Sequence, residues 1–442
     1  MKPAGRIAAT IDILTDFEQR RVPLKTAIAD WARSNRYAGA KDRAWISGLT
    51  LDALRRRDSL AAWMGDPSAR AIILGALTAL WKMPVDDLAA ALAEEPHGAG
   101  AMTAAERAAL TSAKPLPSGV DCPDWVRPHF ERAFGPDYDA HIDAFCQRAD
   151  IDLRLNTLKG PAERALNALK AVRGGPAPFL VTAARITAPD PSEKAPSVTV
   201  IPAFNKGWVE VQDLGSQLAA AAAGNIAGKQ VLDFCAGGGG KTLALAAQMK
   251  NTGQLHAYDI SAHRLKPLYA RAKRAGLRNL QIYHPAPKGQ PREDSLNSLR
   301  GAMDIVFVDA PCSGSGTWRR HPDTKWRLTP QQLQTRQREQ DIVLQSAAAY
   351  VKPGGLLIYV TCSIFREENE DRIASFQAAH KGFEPVSPVD KMMESALLRS
   401  PADEKTLRAG ENEARHLCLT PHTTQTDGFC IAVLQYMPKD QE

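Results

Sequence analysis

At 442 residues, with 44% hydrophobic and 24% charged side chains, the chain reads as a globular protein of two or three domains. It has no run of about eighteen apolar residues, which excludes a helical membrane span, and its opening MKPAGRIAATIDILTDFEQ has acidic residues inside the first apolar stretch, so no signal peptide is expected. A net charge of +6 permits a polyanionic partner, while seven cysteines without a CxxC pair argue against zinc and for reduced thiols in the cytoplasm.

The first hundred residues place apolar side chains at three- and four-residue spacing, as in PLKTAIADWARS, DRAWISGLTLDALRRRDSLAAWM and SARAIILGALTALWKM. This pattern predicts an all-α domain over 1–115, closed by the Gly/Pro/Ala-rich stretch up to SAKPLPSG. Residues 120–205 predict a small α+β module. A helical piece around WVRPHFERAF leads into the strand-like DLRLNTLKG, then a helix in PAERALNALKAV, then weaker strand-like runs in FLVTAARITA and SVTVIPAF. Over 208–438 the rhythm becomes strand, turn, helix, with apolar runs VLDFCA, QLHAYDI, LQIYH, DIVFVDAP and GLLIYVTC. Such alternation predicts an α/β, Rossmann-like, mostly parallel doubly wound sheet whose ligand sits at the carboxyl ends of the strands. Asp233, Asp259, Asp309 and Cys362 fall at those ends.

Two readings compete for VLDFCAGGGGKT. Gly240, Lys241 and Thr242 match the end of a Walker A loop and DIVFVDA would serve as its partner strand, but the first glycine of that motif would be residue 235, which is Cys. A nucleoside pocket fits otherwise: glycines open backbone and a helix N-terminus to the ligand, and Asp259, 26 residues beyond Asp233, suits a ribose diol. Asp233 itself would repel a triphosphate and suits a ligand carrying an ammonium and a sulfonium, such as S-adenosylmethionine.

Further on, DAPCSGSGTWRRHPDTKWR and YVTCS each set a cysteine at the end of a predicted strand. A single cysteine there reads as core packing, but two beside a cofactor pocket read as chemistry. With RLNTLK, VQDLGSQLA, DFCAGGGGKT and DGFCIAVL in the same order, the chain resembles the RsmB/NOL1/NOP2/Sun family of RNA cytosine-5 methyltransferases, and within it the bacterial ribosomal RNA enzymes with a NusB-like helical domain.

That resemblance implies methyl transfer from S-adenosyl-L-methionine to carbon 5 of a cytosine in RNA, 16S ribosomal RNA above all, through a covalent cysteine–cytosine adduct. By resemblance, Cys362 is the nucleophile, Cys312 assists product release and Asp309 meets the cytosine edge. The sequence alone leaves the choice between the two cysteines open. The cofactor would lie on Cys235, Ala236, Gly237, Gly238, Gly239, Gly240 and Lys241, with Asp259 on the ribose and Asp309 near the methyl-donor side. Both thiols are expected to have depressed pKa values, with Lys241 or Arg154 supplying positive charge.

Two departures from the family pattern stand out. Glycine replaces the family's usual proline in the loop, which implies a looser loop. LQIYHPAPKGQP also lacks the Asp expected near the adenine, leaving His284 or a backbone amide as substitutes. For RNA, WRRHPDTKWR offers Trp318, Arg319, Arg320 and Lys325 as interleaved cations and aromatics. Arg154 and Asn156 join the RNA-side wall by resemblance. A monomer without metal is expected. An NTPase, and a ribosomal RNA-binding assembly factor with a decayed methyltransferase fold, stay open as alternatives. A DNA substrate is open too, since the chemistry is shared.

Overall fold

The computed structural model describes residues 1–190, 193, 196–285 and 294–438, and the chain forms two compact units. The first comprises Met1–Ala149, Ala188–Pro196 and Thr317–Leu328; the second comprises Asp150–Thr187, Ser197–Gly316 and Thr329–Glu442.

The first unit is helical, led by Pro3–Arg20, Leu24–Ser34, Ala40–Arg55, Arg57–Met64 and Ala69–Gly75. Its core draws Ile13 and Phe17 from the first helix and Ile46, Leu49 and Ala53 from the third, at the spacing that puts side chains on one helix face. The unit continues past the expected boundary near residue 115. Asp121 is the reason: its Oδ1 accepts the backbone N–H groups of Asp58 and Ser59, both at 3.0 Å, satisfying donors that the start of Arg57–Met64 leaves open. Arg56 bonds Asp143 at 2.6 Å, and Phe130 packs edge-on to Phe145. The 120–205 module is therefore divided, with residues up to Ala149 in the helical unit.

Residues 317–328 also belong to this unit. The last carbonyls of helix Ala40–Arg55 have no partner within the helix. Trp326 Nε1 donates to Leu54 O at 2.7 Å, and Lys325 Nζ donates to Arg55 O at 3.2 Å and Asp121 O at 2.5 Å. Arg55 Nε returns a bond to Arg319 O at 2.7 Å, and the Trp318 ring lies 6.0 Å from that of Phe130. Trp318, Arg319 and Lys325 are thus buried, at 1%, 5% and 2% exposure, and Arg320 is half-buried. This corrects the expectation of an exposed RNA-binding strip: the cations and aromatics close a helix end.

The second unit carries two sheets. The smaller has β1 (Ile151–Leu155), β2 (Gly175–Pro176), β3 (Ala183–Ile186) and β4 (Val209–Val211) in the order β2-β3-β1-β4, all antiparallel. SVTVIPAF, expected as a strand, instead forms a 3₁₀ turn at Val198–Val200 and a short helix at Pro202–Asn205. Proline opening that helix cannot donate to a sheet ladder.

The larger sheet holds β5 (Gln230–Asp233), β6 (Gln254–Tyr258), β7 (Leu280–Tyr283), β8 (Met303–Asp309), β9 (Val351–Thr361), β10 (Phe383–Val386), β11 (His416–Leu419) and β12 (Phe429–Tyr436). Its order is β10-β12-β9-β8-β5-β6-β7, with β11 on β12. The run β7-β6-β5-β8-β9 is parallel, and β12 pairs antiparallel with β9, β10 and β11. Alternate residues feed two cores: Ile305, Phe307, Ile358 and Val360 enter one, and Val306, Val308, Leu357 and Tyr359 the other. A sheet buried on both faces explains why these strands read as unbroken apolar runs. Cys418 and Cys430 face each other across β11 and β12, with Cα atoms 4.4 Å apart, and are joined as a disulfide. The expectation of seven reduced thiols is corrected at this pair. Among the described residues no helix is long and apolar enough to cross a membrane.

Replacing Lys325 with Ala leaves two buried carbonyls without their donor. It is expected to destabilise the helical unit by about 2–4 kcal/mol, read as faster hydrogen exchange in peptides covering the helix Ala40–Arg55. Unchanged exchange combined with weaker RNA binding would put Lys325 back on the surface.

Candidate active site

The carboxyl ends of β5, β6, β8 and β9 converge on the expected loops. After β5 the chain turns through Cys235–Gly239 into the helix Gly240–Gln248. Gly239 sits at φ +84°, and a Cβ there would stand 2.3 Å from Leu268 Cδ1, so only glycine fits this corner. Gly237 N donates to Asp259 Oδ2 at 3.0 Å, which ties the glycine loop to the end of β6.

Beside this loop lies a cavity of about 190 Å³. Cys235, Ala236, Gly237, Gly238, Gly240, Lys241 and Asp309, all expected from the sequence, line it. Gly239 and Asp259 shape it from behind. The sequence reading missed Ser216, Arg264 and Arg271, which also line the cavity. Arg271 Nη1 donates to Gly238 O at 2.6 Å and Arg264 reaches Asp259 at 3.4 Å. A helix of regular basic spacing gave no signal for this, because only the turn at Gly237–Gly239 brings it under the loop.

Asp233 is fully buried on the cavity wall. Its Oδ2 accepts from Thr242 Oγ1 at 2.6 Å, while its Oδ1 has no hydrogen-bond partner. Burial, with the Asp309 and Asp259 charges adding to it, pushes its pKa up to about 7. Asp309 is held by Lys241 Nζ at 2.7 Å, and Lys241 also lies over the Phe429 ring at 5.1 Å. Against burial, the Asp309 charge raises the Lys241 pKa, and the Cys362 charge acts in the same direction.

Cys312 and Cys362 lie on the loops leaving β8 and β9, with their sulfurs 3.4 Å apart. Gly316 N donates to Cys362 O at 2.9 Å and Gly316 O accepts from Gly428 N at 2.7 Å, so three loops meet at one glycine. A Cβ on Gly316 would stand 2.1 Å from Gly428 O. The Cys312 thiol is pushed well above its ordinary pKa, first by its hydrogen bond with Cys362, then by burial. The expectation of a depressed pKa is corrected for Cys312.

The small sheet corrects two further expectations. Arg154 donates from Nε to Gln212 Oε1 at 2.8 Å, and burial pushes its guanidinium pKa down to about 10. Asn156 donates to Gly207 O at 2.8 Å and Ala275 O at 2.9 Å, capping the open end of helix Ala262–Ala275. Both are about 4% exposed and bonded to the chain itself, where the sequence had suggested residues presented to RNA. Asp213 caps the helix Leu214–Ala221 through Gly215 N at 2.8 Å. His284 is bonded to Tyr269 at 2.8 Å and lies outside the cavity lining; residues 286–293 of the adenine-side stretch lie outside the described residues.

Residues 224–435 match a family model described as 16S rRNA methyltransferase RsmB/F. The chain is 31% identical over 323 residues to a probable ribosomal RNA small subunit methyltransferase B of Synechocystis sp., covering 71% of this chain and 66% of that protein. It is 32% identical over 260 residues to ribosomal RNA small subunit methyltransferase B of Photorhabdus laumondii, covering 58% of each. The matches thus span less than two thirds of these relatives' length. Among solved structures, PH0851 superposes with a TM-score of 0.70 at 24% identity, covering 98% of this chain and 99% of that one. NSun6 from Pyrococcus horikoshii with SFG gives 0.58 at 20% identity, covering 72% and 99%. Both show the same fold.

A carboxyl raised to about 7 stays protonated in the folded chain up to that pH, whereas the unfolded chain loses the proton near its ordinary 3.8. Burying Asp233 therefore costs stability progressively as pH rises through that window, by at most roughly 1.4 kcal/mol per pH unit. Asp233→Asn is expected to flatten the pH dependence of urea midpoints across the window. Parallel curves for the two proteins would show Asp233 ionised throughout.

Proposed function

Through residues 224–435 this chain belongs to the RsmB/F methyltransferase family, and on that premise we propose that it methylates carbon 5 of a cytosine in 16S ribosomal RNA from S-adenosyl-L-methionine. The observation that carries the reading is the pair of thiols 3.4 Å apart beside a cavity walled by the glycine loop and the Lys241–Asp309 ion pair.

The residues present suit this cofactor. The orphaned Asp233 Oδ1 offers a buried acceptor to a cationic ligand's donor, and Asp259, the residue expected to serve the ribose, is tied to Gly237 N behind the cavity lining. Two carboxylates on the cavity wall, Asp233 and Asp309, disfavour a triphosphate, and Cys235 replaces the glycine a Walker loop needs. That argues against the NTPase reading. The intact thiol pair argues against a decayed, purely structural protein.

When bound, the cofactor supplies an electrophilic methyl group on a sulfonium. The chain's own residues do the rest. Cys362 adds as thiolate to carbon 6 of the cytosine, which turns the ring into an enamine whose carbon 5 is nucleophilic. Lys241 holds its charge next to the attacking sulfur and keeps Asp309 aimed at the cytosine amino edge. After methylation, loss of the carbon-5 proton to a base sends its electron pair into the ring and expels Cys362 as thiolate. Cys312, whose thiol is held protonated, donates a hydrogen bond to that departing sulfur.

Cys312→Ala, incubated with the cofactor and unmodified small-subunit ribosomal RNA, is expected to accumulate a nuclease-sensitive, slow-migrating adduct on a denaturing gel. Cys362→Ala is expected to form none and to lose activity by a factor of roughly 10³ or more. The reverse pattern would exchange the two roles. Methylated RNA from Cys362→Ala would overturn the covalent route.

A further inference from the structure

Glu368 lies on the loop that follows the second cysteine, between Glu367 and Glu370, which are half-buried. Unlike them it is fully buried. Its Oε1 accepts from Ser313 N at 2.8 Å and from Gln340 Nε2 at 3.0 Å, and its Oε2 accepts from the hydroxyls of Ser313 and Ser363. Ser313 follows Cys312 directly and Ser363 follows Cys362 directly. One carboxylate therefore grips the residue next to each thiol. Gln340 extends the clamp by donating to Pro311 O at 2.8 Å, on the other side of Cys312. Asn369 completes it from the Cys362 side, donating to Ser363 O at 3.0 Å and Phe365 O at 2.9 Å.

We propose that Glu368 is a positioning residue that locks the two cysteine loops together and sets which of the two thiols is the more reactive. The inference rests on the methyltransferase reading for its catalytic consequence, though not for the thiol asymmetry itself.

The geometry has two parts. Every described partner of the two Glu368 oxygens is a donor, which suits the ionised carboxylate. Burial raises the Glu368 carboxyl while the donors around it favour its charge, and that charge is among the influences that raise Cys312 after its hydrogen bond with Cys362 and burial. Lys241 is the cation of the Asp309 pair, and the Cys362 charge acts with that of Asp309 to raise its pKa. Two thiols 3.4 Å apart cannot both ionise cheaply, so the flanking charges choose between them. A protonated Cys312 is the arrangement that lets Cys312 donate to the leaving sulfur.

Glu368→Gln tests the charge apart from the shape. Glutamine fills the same volume, and the two serine hydroxyls can turn to accept from its amide. The full chain, without RNA, is treated with limiting iodoacetamide at neutral pH and the Cys312 and Cys362 peptides are quantified by mass spectrometry. Wild type is expected to be alkylated mainly at Cys362, and E368Q to raise the Cys312 share by about fivefold or more. With RNA, E368Q is expected to lower kcat by roughly tenfold with little change in KM, and to accumulate the adduct that wild type resolves. Glu368→Asp keeps the charge on a shorter arm and is expected to keep the wild-type alkylation pattern while losing kcat.

An unmoved alkylation ratio in folded E368Q would overturn the inference even if methylation proceeds. Should E368Q not fold, equal labelling of both thiols in E368D would overturn it instead. A shifted ratio in a protein that methylates no cytosine would leave the thiol asymmetry standing and sink the functional reading alone.

Discussion

Parallel neighbours in a sheet finish side by side, and the ladder between β8 and β9 makes this happen for the two strands that lead into the cysteine loops. Val308 pairs with Tyr359 and Asp309 with Val360, so the loops after them start from adjacent points. Fifty residues of intervening chain are thereby cancelled, and the sulfurs of Cys312 and Cys362 meet at 3.4 Å. The same geometry places Asp309 next to the glycine loop leaving β5, the other neighbour of β8. Without that strand order neither the ion pair with Lys241 nor the shared grip of Glu368 could form.

Around this convergence, charge is arranged by burial. Four carboxylates, Asp233, Asp259, Asp309 and Glu368, lie within the ends of four strands and the loops after them. Each is dealt with differently. Asp259 takes backbone donors from Gly237 and Ser261, Asp309 takes the Lys241 ammonium, and Glu368 takes four donors from two loops and one helix. Asp233 keeps a buried acceptor open, and burial lifts its pKa to about 7. A buried carboxyl left partly unsatisfied is expensive unless something completes it. This leaves the wall beside the glycines with a buried acceptor open to a ligand's donor.

The helical unit follows a different necessity. Helix Ala40–Arg55 ends with carbonyls that its own backbone cannot satisfy, and a segment far along the chain supplies the indole and ammonium donors. Residues that resemble nucleic-acid ligands in composition are drawn inside because buried polar backbone must be paired. Asn156 does the same for the helix Ala262–Ala275. In both cases a side chain that could recognise a phosphate or a base recognises a peptide group of the chain itself.

The sequence by itself determined the parallel sheet, the strand ends, the glycine loop and the two cysteines, because these are written locally: short unbroken apolar runs, a glycine where φ is positive, a cysteine just past the end of a strand. It also carried the family motifs that distinguish a methyltransferase loop from a phosphate loop at Cys235. Only the tertiary structure decided which polar residues face outward. Burial of Asn156 and Lys325 depends on distant carbonyls, that of Arg154 on the Gln212 side chain and that of Trp318 on the Phe130 ring, and nothing within a few residues of them announces those partners. Glu368 is the sharpest case. Among three neighbouring acids in REENE, one is selected to hold two loops, and the selection is made by strands that meet only in the folded sheet.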